Sequence, residues 1–281
     1  MIETNSLYYV FPDDSVGLSD INLKLPDGSR TLLIGSNGAG KSTLLRILAG
    51  KTLAKNGSVS VDGRDPFREG LMETTYLGTE WATNTTVRRD IAVTLLIASV
   101  GGDAFPDRRD ELVDILDIDL TWRMHQVSDG ERRRVQLCMG LLRPWKTLLL
   151  DEVTVDLDVI VRARLLEFLR RECELRGCQV VYATHIFDGL MDWPTHVVHI
   201  HDGRVLSADT MENTLANNKD KCTGQRGSQL LEIALDWLKS DLQDRGSRKP
   251  KRKWNDVAAD LDLQLDHTEN FPSYFKFSRG M

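Results

Sequence analysis

The sequence has few cysteines, no long apolar run and no strong excess of either charge. Four cysteines occur among 281 residues and none forms a Cys-x-x-Cys pair, which argues against a disulfide framework or a zinc site. The longest apolar stretch, 91–100, is far shorter than the roughly 20 residues of a membrane-spanning helix. The N-terminus lacks the basic flank and apolar core of a secretory signal. A net charge of -6 argues against generic nucleic-acid binding. We therefore expect a soluble, cytoplasmic protein with reduced thiols.

Three continuous apolar runs indicate the fold class. They lie at 31–34, 147–150 and 180–183. A helical pattern at 42–48 follows the first run, and another at 162–174 precedes the third. Continuous apolar strands that alternate with helices predict a parallel sheet covered on both faces. Shorter strand patterns and a mostly helical region add to this α/β core. Those strand patterns lie at 7–11, 21–25, 59–63 and 75–77, and the helical region at 87–142.

A glycine-rich loop lies between the first of these runs and its helix. Residues 35–42 fit the pattern Gly-x-x-x-x-Gly-Lys-Ser, the P-loop or Walker A motif. Backbone N–H groups of such a loop point at phosphate oxygens, and the helix N-terminus adds a favourable dipole. Lys41 is expected on the β- and γ-phosphates, and Ser42 on Mg²⁺. The predicted nucleotide-binding residues of the loop are Gly35, Ser36, Asn37, Gly38, Ala39, Gly40, Lys41, Ser42 and Thr43.

Two acidic residues follow the apolar run at 147–150. Asp151 suits the Mg²⁺ shell, and Glu152 suits the general base that polarises an attacking water. Acidic residues after strands also serve as helix caps. The preceding phosphate loop favours the catalytic interpretation.

A third motif brings a family resemblance. Residues 127–131, Val-Ser-Asp-Gly-Glu, resemble the Leu-Ser-Gly-Gly-Gln signature of ATP-binding-cassette (ABC) ATPases, with Asp129 and Glu131 as departures. The resemblance implies that Ser128 and Gly130 contact the γ-phosphate bound to the opposite subunit.

Three further features fit the same family. Residues 155–158 resemble its D-loop, and His185 resembles its switch histidine, which braces Glu152 and the γ-phosphate. Phe11 is the best match to the aromatic residue that stacks on adenine, ahead of Tyr8 and Tyr9.

Three other histidines, His196, His199 and His201, are closely spaced, as the ligands of a metal site can be. Apolar residues between them favour a strand instead. We therefore predict no metal site there.

The resemblance, over about residues 5–220, implies an α/β P-loop NTPase fold. It comprises a mixed core sheet, an antiparallel β subdomain and a helical signature subdomain at about 85–143. The implied ligands are ATP and Mg²⁺, and the implied activity is ATP hydrolysis with Lys41, Glu152 and His185 as catalytic residues. We expect an ABC domain at 1–222 and an extension at 228–281.

One family feature is missing. Transporter-driving members carry a glutamine after the strand that corresponds to 75–77, but no glutamine precedes Gln126 here. Thr79 or Glu80 takes its place. Residues 28–35, 76–81 and 127–140 resemble the stand-alone soluble (non-intrinsic) ABC ATPases of eukaryotes. The fungal member of that group associates with the carbon catabolite repressor-Not complex, which regulates transcription and mRNA deadenylation.

Three functions follow as alternatives. The first is an ATPase switch in a soluble regulatory complex, the second is the energising subunit of a transporter whose membrane protein is a separate chain, and the third is a non-hydrolysing nucleotide-dependent scaffold. The missing glutamine favours the first over the second, and Glu152 with His185 disfavours the third. The resemblance implies an active site in which the phosphate loop of one subunit faces the signature of another. Because this chain has one of each, we expect an ATP-dependent head-to-tail dimer with a second copy or a related ABC chain.

The C-terminal part differs in character. Leu231, Leu235, Leu238 and Leu242 recur on one helical face, which we expect to dock on the core. The basic run 245–253 fits a solvated linker, a nuclear-import signal or an RNA contact, so nuclear location and nucleic-acid contact stay open. Aromatic residues at 271–277 end the chain.

Overall fold

The computed structural model describes residues 1–79, 81, 85–219 and 229–246, with 85 and 86 described only as backbone. Glu80, Cys222, positions 247–253 of the basic run and the aromatic end lie outside the described residues. The chain divides into two compact units, Met1–Leu242 and Gln243–Met281. The first unit contains every element below except the last residues of the final helix.

A six-stranded mixed sheet carries the predicted apolar runs. Its strands are β3 Arg30–Ile34, β5 Thr74–Leu77, β6 Thr147–Asp151, β7 Gln179–Ala183, β8 His196–His201 and β9 Arg204–Thr210, in the order β5-β6-β7-β3-β8-β9. All neighbours are parallel except β8 and β9. Every residue of β6 and β7 is buried, which explains why these strands read as continuous apolar runs.

A separate antiparallel sheet precedes the helical region. It contains β1 Ile2–Val10, β2 Val16–Leu25 and β4 Asn56–Val61, in the order β2-β1-β4. The expected mixed sheet with an antiparallel subdomain is thus confirmed. Each strand begins three to five residues before the patterns 7–11, 21–25 and 59–63 predicted, because polar residues and glycines in those added segments weaken the apolar signal.

Seven α-helices occur within the described residues. They are α1 Lys41–Leu48, α2 Val93–Ser99, α3 Pro106–Ile115, α4 Asp129–Leu142, α5 Val159–Arg176, α6 Met211–Asn217 and α7 Gln229–Arg245. Alternate residues of the central strands enter two separate cores. Leu148 and Leu150 join one core and Leu149 joins the other, so that both faces of the large sheet are packed.

The predicted docking face of α7 is wrong. Leu231, Leu235 and Leu242 are exposed, whereas Leu230, Ile233, Ala234 and Asp241 are buried on the same helix. Both sets repeat with helical spacing, so periodicity alone does not distinguish them. The buried set is fixed by polar and aromatic contacts: Asp241 lies 3.1 Å from His199 Nε2, and Trp237 stacks on the His199 ring at 4.6 Å.

Candidate nucleotide and catalytic site

The glycine-rich loop connects the end of β3 to the start of α1. Gly40 adopts a φ of 106°, where a side chain would be strained, and a Cβ there would lie 2.7 Å from Leu18 Cδ2. A Cβ on Gly35 would lie 2.1 Å from the Ile200 carbonyl oxygen. α1 has no side-chain cap hydrogen bond and no acidic residue in its first turn. The loop therefore presents a positive helix end suited to an anion.

Lys41 is the first residue of α1 and is buried. Its Nζ donates to the carbonyl oxygens of Gly35 at 2.6 Å and Ser36 at 3.2 Å. Burial lowers the pKa of Lys41, and the nearby carboxylates of Glu152, Asp151 and Asp241 oppose that shift. The ammonium is thus held inside the loop, where it can bind phosphate oxygens.

Asp151 and Ser42 meet as expected for a shared metal ligand pair. The Ser42 hydroxyl donates to Asp151 Oδ1 at 3.0 Å, and Asp151 is 5% exposed. Burial raises the pKa of Asp151. A carboxylate and a hydroxyl at the mouth of a phosphate loop are oxygen donors of the type that Mg²⁺ prefers. The residues present therefore fit a magnesium ion.

Glu152 and His185 are brought into direct contact from the ends of neighbouring strands β6 and β7. His185 Nε2 lies 2.9 Å from Glu152 Oε1. Glu152 adopts a φ of 55°, a left-handed conformation that is uncommon for a residue with a long side chain. Its N–H is fixed by the Ala183 carbonyl oxygen at 3.0 Å. Strained backbone of this kind is often found at functional sites.

These side chains border one pocket of about 280 Å³. Its lining residues are Phe11, Val16, Gly17, Asn37, Gly38, Ala39, Gly40, Lys41, Ser42, Thr43, Glu152 and His185. Phe11 is partly exposed at the rim and makes an edge-to-face contact with Tyr9. Asp151 reaches the pocket through Ser42. Two of the predicted nucleotide-binding residues, Gly35 and Ser36, do not line this pocket. Their carbonyl oxygens accept hydrogen bonds from Lys41 Nζ.

The signature residues lie at the start of α4. Ser128 and Gly130 are not among the described residues that line the pocket. The departure Glu131 has a local structural reason, because its side chain accepts the Ser128 N–H at 2.7 Å while the Ser128 hydroxyl caps the Glu131 N–H. This reciprocal capping box fixes the helix N-terminus. A Cβ on Gly130 would lie 2.8 Å from the Asp156 carbonyl oxygen of the D-loop segment.

The predicted strand that carries the three histidines is confirmed as β8. His199 is buried against Asp241 of α7, and His201 Nδ1 lies 3.4 Å from the same carboxylate. His196 accepts or donates a hydrogen bond with the Thr195 hydroxyl. Two of the three histidines therefore attach α7 to the sheet.

Several functional candidates were not found from the sequence. Tyr76 donates to Asp151 Oδ2 at 3.2 Å, and the buried Arg133 and Gln136 bind the Gly78 carbonyl oxygen. An arginine and a glutamine three residues apart in a helix ordinarily indicate a solvated face. Only the tertiary packing of α4 against the end of β5 reveals their contacts.

No helix within the described ranges is both long enough and apolar enough to cross a membrane. The strand, phosphate loop and helix, with a buried carboxylate at the end of a neighbouring parallel strand, define a P-loop nucleotide-binding domain.

Comparison with known proteins gives the family. A model described as ABC transporter matches residues 18–155. CCR4-associated factor 16 of Saccharomyces cerevisiae is 47% identical over 275 residues, covering 86% of this chain and 95% of that protein. ABC transporter I family member 20 of Arabidopsis thaliana is 46% identical over 249 residues, covering 85% of this chain and 73% of that protein. The chain belongs to the ABC family and contains its ATPase domain.

Solved structures agree on the fold. The ATP-binding cassette MJ0796, described as a dimeric post-hydrolysis state bound to ADP and Pi, matches with a TM-score of 0.63 and 18% identity. The match covers 75% of this chain and 99% of that chain.

Proposed function

We propose that the chain binds ATP with Mg²⁺ in this pocket, hydrolyses it, and acts as an ATP-driven dimerisation switch in a regulatory protein complex. One observation carries the hydrolytic part of the proposal. The Glu152 carboxylate, 2.9 Å from His185 Nε2, borders the same pocket as the phosphate loop. A nucleotide-binding loop alone needs no such pair.

The roles of the residues follow from their positions. Backbone N–H groups of 37–40 and the Lys41 ammonium hold the phosphates, and Phe11 stacks on the base at the rim. Ser42 and Asp151 would hold Mg²⁺, which when bound neutralises phosphate charge. Glu152 orients and deprotonates the attacking water, and His185 fixes the Glu152 carboxylate and reaches the γ-phosphate. The left-handed backbone at Glu152 turns its side chain towards the loop.

Dimerisation completes the site. Ser128 and Gly130 lie at the N-terminus of α4, where backbone N–H groups favour anions. The two acidic residues of that turn are each engaged, Asp129 by Arg132 and Glu131 by the Ser128 N–H. In the proposed head-to-tail dimer they bind the γ-phosphate held by the loop of the partner. The MJ0796 cassette, whose structure is described as dimeric, has the same fold. Hydrolysis then removes the shared phosphate and reopens the dimer, because a ligand shifts a conformational equilibrium through its differential affinity for two states.

The proposed setting is a regulatory complex in the cytoplasm, with the nucleus as a second location. It rests on the printed name of the yeast relative, CCR4-associated factor 16, and on the carbon catabolite repressor-Not complex implied by the fungal resemblance. The missing glutamine after β5 supports this setting over a transporter.

Replacement of the proposed base tests the hydrolytic step. Glu152→Gln removes the proton acceptor but keeps the size of the side chain, so ATP turnover should fall by at least about 100-fold. ATP affinity should persist, and an ATP-bound dimer should accumulate in size-exclusion chromatography. Glu174→Gln, an exposed substitution on α5, is the matched control and should keep normal turnover. Unchanged turnover in Glu152→Gln contradicts the assigned role.

Affinity purification tests the setting. Glu152→Gln protein loaded with ATP should retain partners that Lys41→Ala protein, which lacks the phosphate-binding ammonium, does not. Subunits of a carbon catabolite repressor-Not complex among the retained chains are the expected result. Retention of a polytopic membrane protein instead would favour the transporter alternative.

A further inference from the structure

The phenol of Tyr76 is the second hydrogen-bond donor to the Asp151 carboxylate. β5 and β6 are parallel neighbours, with Tyr76 opposite Leu149, and this register brings the phenol beside the end of β6. Tyr76 Oη donates to Asp151 Oδ2 at 3.2 Å while Ser42 Oγ donates to Oδ1 at 3.0 Å. Each oxygen of the carboxylate therefore accepts one of these two hydrogen bonds.

Tyr76 is itself held on several sides. The Lys51 ammonium lies 4.8 Å from the centre of the phenol ring, and Arg46 hydrogen-bonds to the hydroxyl. A Cβ on Gly78 would lie 2.6 Å from Tyr76 Oη. The hydroxyl thus occupies space that a side chain at 78 would fill.

The other side of Gly78 is bound to the signature helix α4. Its carbonyl oxygen accepts hydrogen bonds from Arg133 Nη1 at 3.1 Å and Gln136 Nε2 at 2.9 Å. Both residues are 4% exposed, and Arg133 Nη1 donates a hydrogen bond to Gln136 Oε1. Arg133 Nε also lies 3.7 Å from Asp156 Oδ2 in the D-loop segment. Tyr76 near the end of β5 and Gly78 directly after it therefore link the Asp151 carboxylate to the helix that begins at the signature.

We propose that Tyr76 is a positioning residue that orients Asp151 for the metal, and that the Arg133 and Gln136 contacts on Gly78 couple this orientation to helix α4. The inference rests on the proposed binding of Mg²⁺ with ATP. Held from both oxygens, the carboxylate loses little rotational freedom when a cation binds. A movement of α4 displaces the Gly78 carbonyl and, through it, the phenol.

Metal affinity, measured without turnover, tests the first part. Tyr76→Phe should weaken Mn²⁺ binding to the ATP-loaded full chain by roughly tenfold, as expected for loss of a hydrogen bond to a ligand. Free Mn²⁺ is counted by electron paramagnetic resonance, and ATP affinity in the presence of a chelator should stay unchanged. Tyr182→Phe removes another buried phenol hydroxyl, one that contacts Thr154, and should leave Mn²⁺ affinity unchanged.

A second variant guards against misfolding of the first. Gly78→Ala keeps the phenol but pushes a methyl group against its hydroxyl, and φ at Gly78 is not in the left-handed region. It should weaken Mn²⁺ binding in the same direction. A variant counts as folded if its thermal unfolding temperature equals that of the wild type. Normal Mn²⁺ affinity in either variant that meets this criterion overturns the proposal.

A double-mutant cycle tests the coupling. Gln136→Met removes a hydrogen bond to Gly78 at similar side-chain volume and should weaken Mn²⁺ binding a few-fold. When Tyr76→Phe is already present, adding Gln136→Met should weaken Mn²⁺ binding by less than that factor. Strict multiplication of the two effects would show independent sites and overturn the coupling. If wild-type protein with ATP binds no Mn²⁺, the proposed function itself fails, which is a different outcome from equal binding by wild type and Tyr76→Phe.

Discussion

At the scale of single residues, burial determines what the cysteines can do. Cys138, Cys173 and Cys178 are free thiols, each at most 3% exposed. Burial raises the pKa of Cys138 and of Cys173 to about 12 and raises the pKa of Cys178. The spacing of the cysteines in the sequence argued against a disulfide framework. Their burial in the structure predicts that these three thiols are unreactive in the native state.

Thiol titration checks this. A Cys222→Ser variant should give no reaction with Ellman's reagent at pH 8 while folded, and three thiols should react after denaturation, because the thiolate is the nucleophile. Rapid labelling of the folded variant would contradict the burial.

The raised pKa values of the thiols also predict how stability depends on pH. Native thiols stay protonated while unfolded thiols ionise near pH 8.5, so the free energy of unfolding should fall as pH rises above about that value.

At the scale of elements, the central strands and the phosphate loop followed from local sequence, and the packing of α7 did not. Continuous apolar runs and the glycine pattern are short-range signals, so β3, β6, β7 and the loop were predicted with small errors at their ends. The face of α7 depends on Asp241 meeting His199, which is 42 residues distant in the chain. Tyr76, Arg133 and Gln136 were missed for the same reason: each acts through a contact that only folding creates.

Paired alanine substitutions on α7 distinguish the two faces. Ile233 is fully buried and Leu235 is 45% exposed. Ile233→Ala should lower the free energy of unfolding by about 2–4 kcal/mol, because it removes buried methyl groups and leaves a cavity. Leu235→Ala should change it by no more than about 0.5 kcal/mol. Urea denaturation followed by circular dichroism measures both variants, and the reverse order would restore the leucine face as the docking face.

At the scale of the whole molecule, one chain carries each part of the proposed active site once. The pocket beside the phosphate loop contains Lys41 and Glu152, while Ser128 lies at the start of α4 outside the set of described lining residues. In a head-to-tail dimer, each active site takes its loop from one copy and its signature from the other. A defective loop in one copy and a defective signature in the other copy then disable the same site, so the second site of that dimer stays intact. Mixed dimers separate this arrangement from a site complete in one chain.

Complementation between two inactive variants tests the arrangement. Lys41→Ala removes the phosphate-binding charge, and Ser128→Asp keeps an oxygen that can cap α4 but sets a negative charge against the γ-phosphate. Each variant alone should be inactive. In an equimolar mixture about half of the dimers are mixed and each has one intact site, so ATPase activity should return to about a quarter of wild type. Ser128→Thr, which keeps the hydroxyl and the neutral charge, controls for damage to the helix cap. Continued inactivity of the mixture, with mixed dimers verified by pull-down of differently tagged copies, would place loop and signature of each site in the same chain.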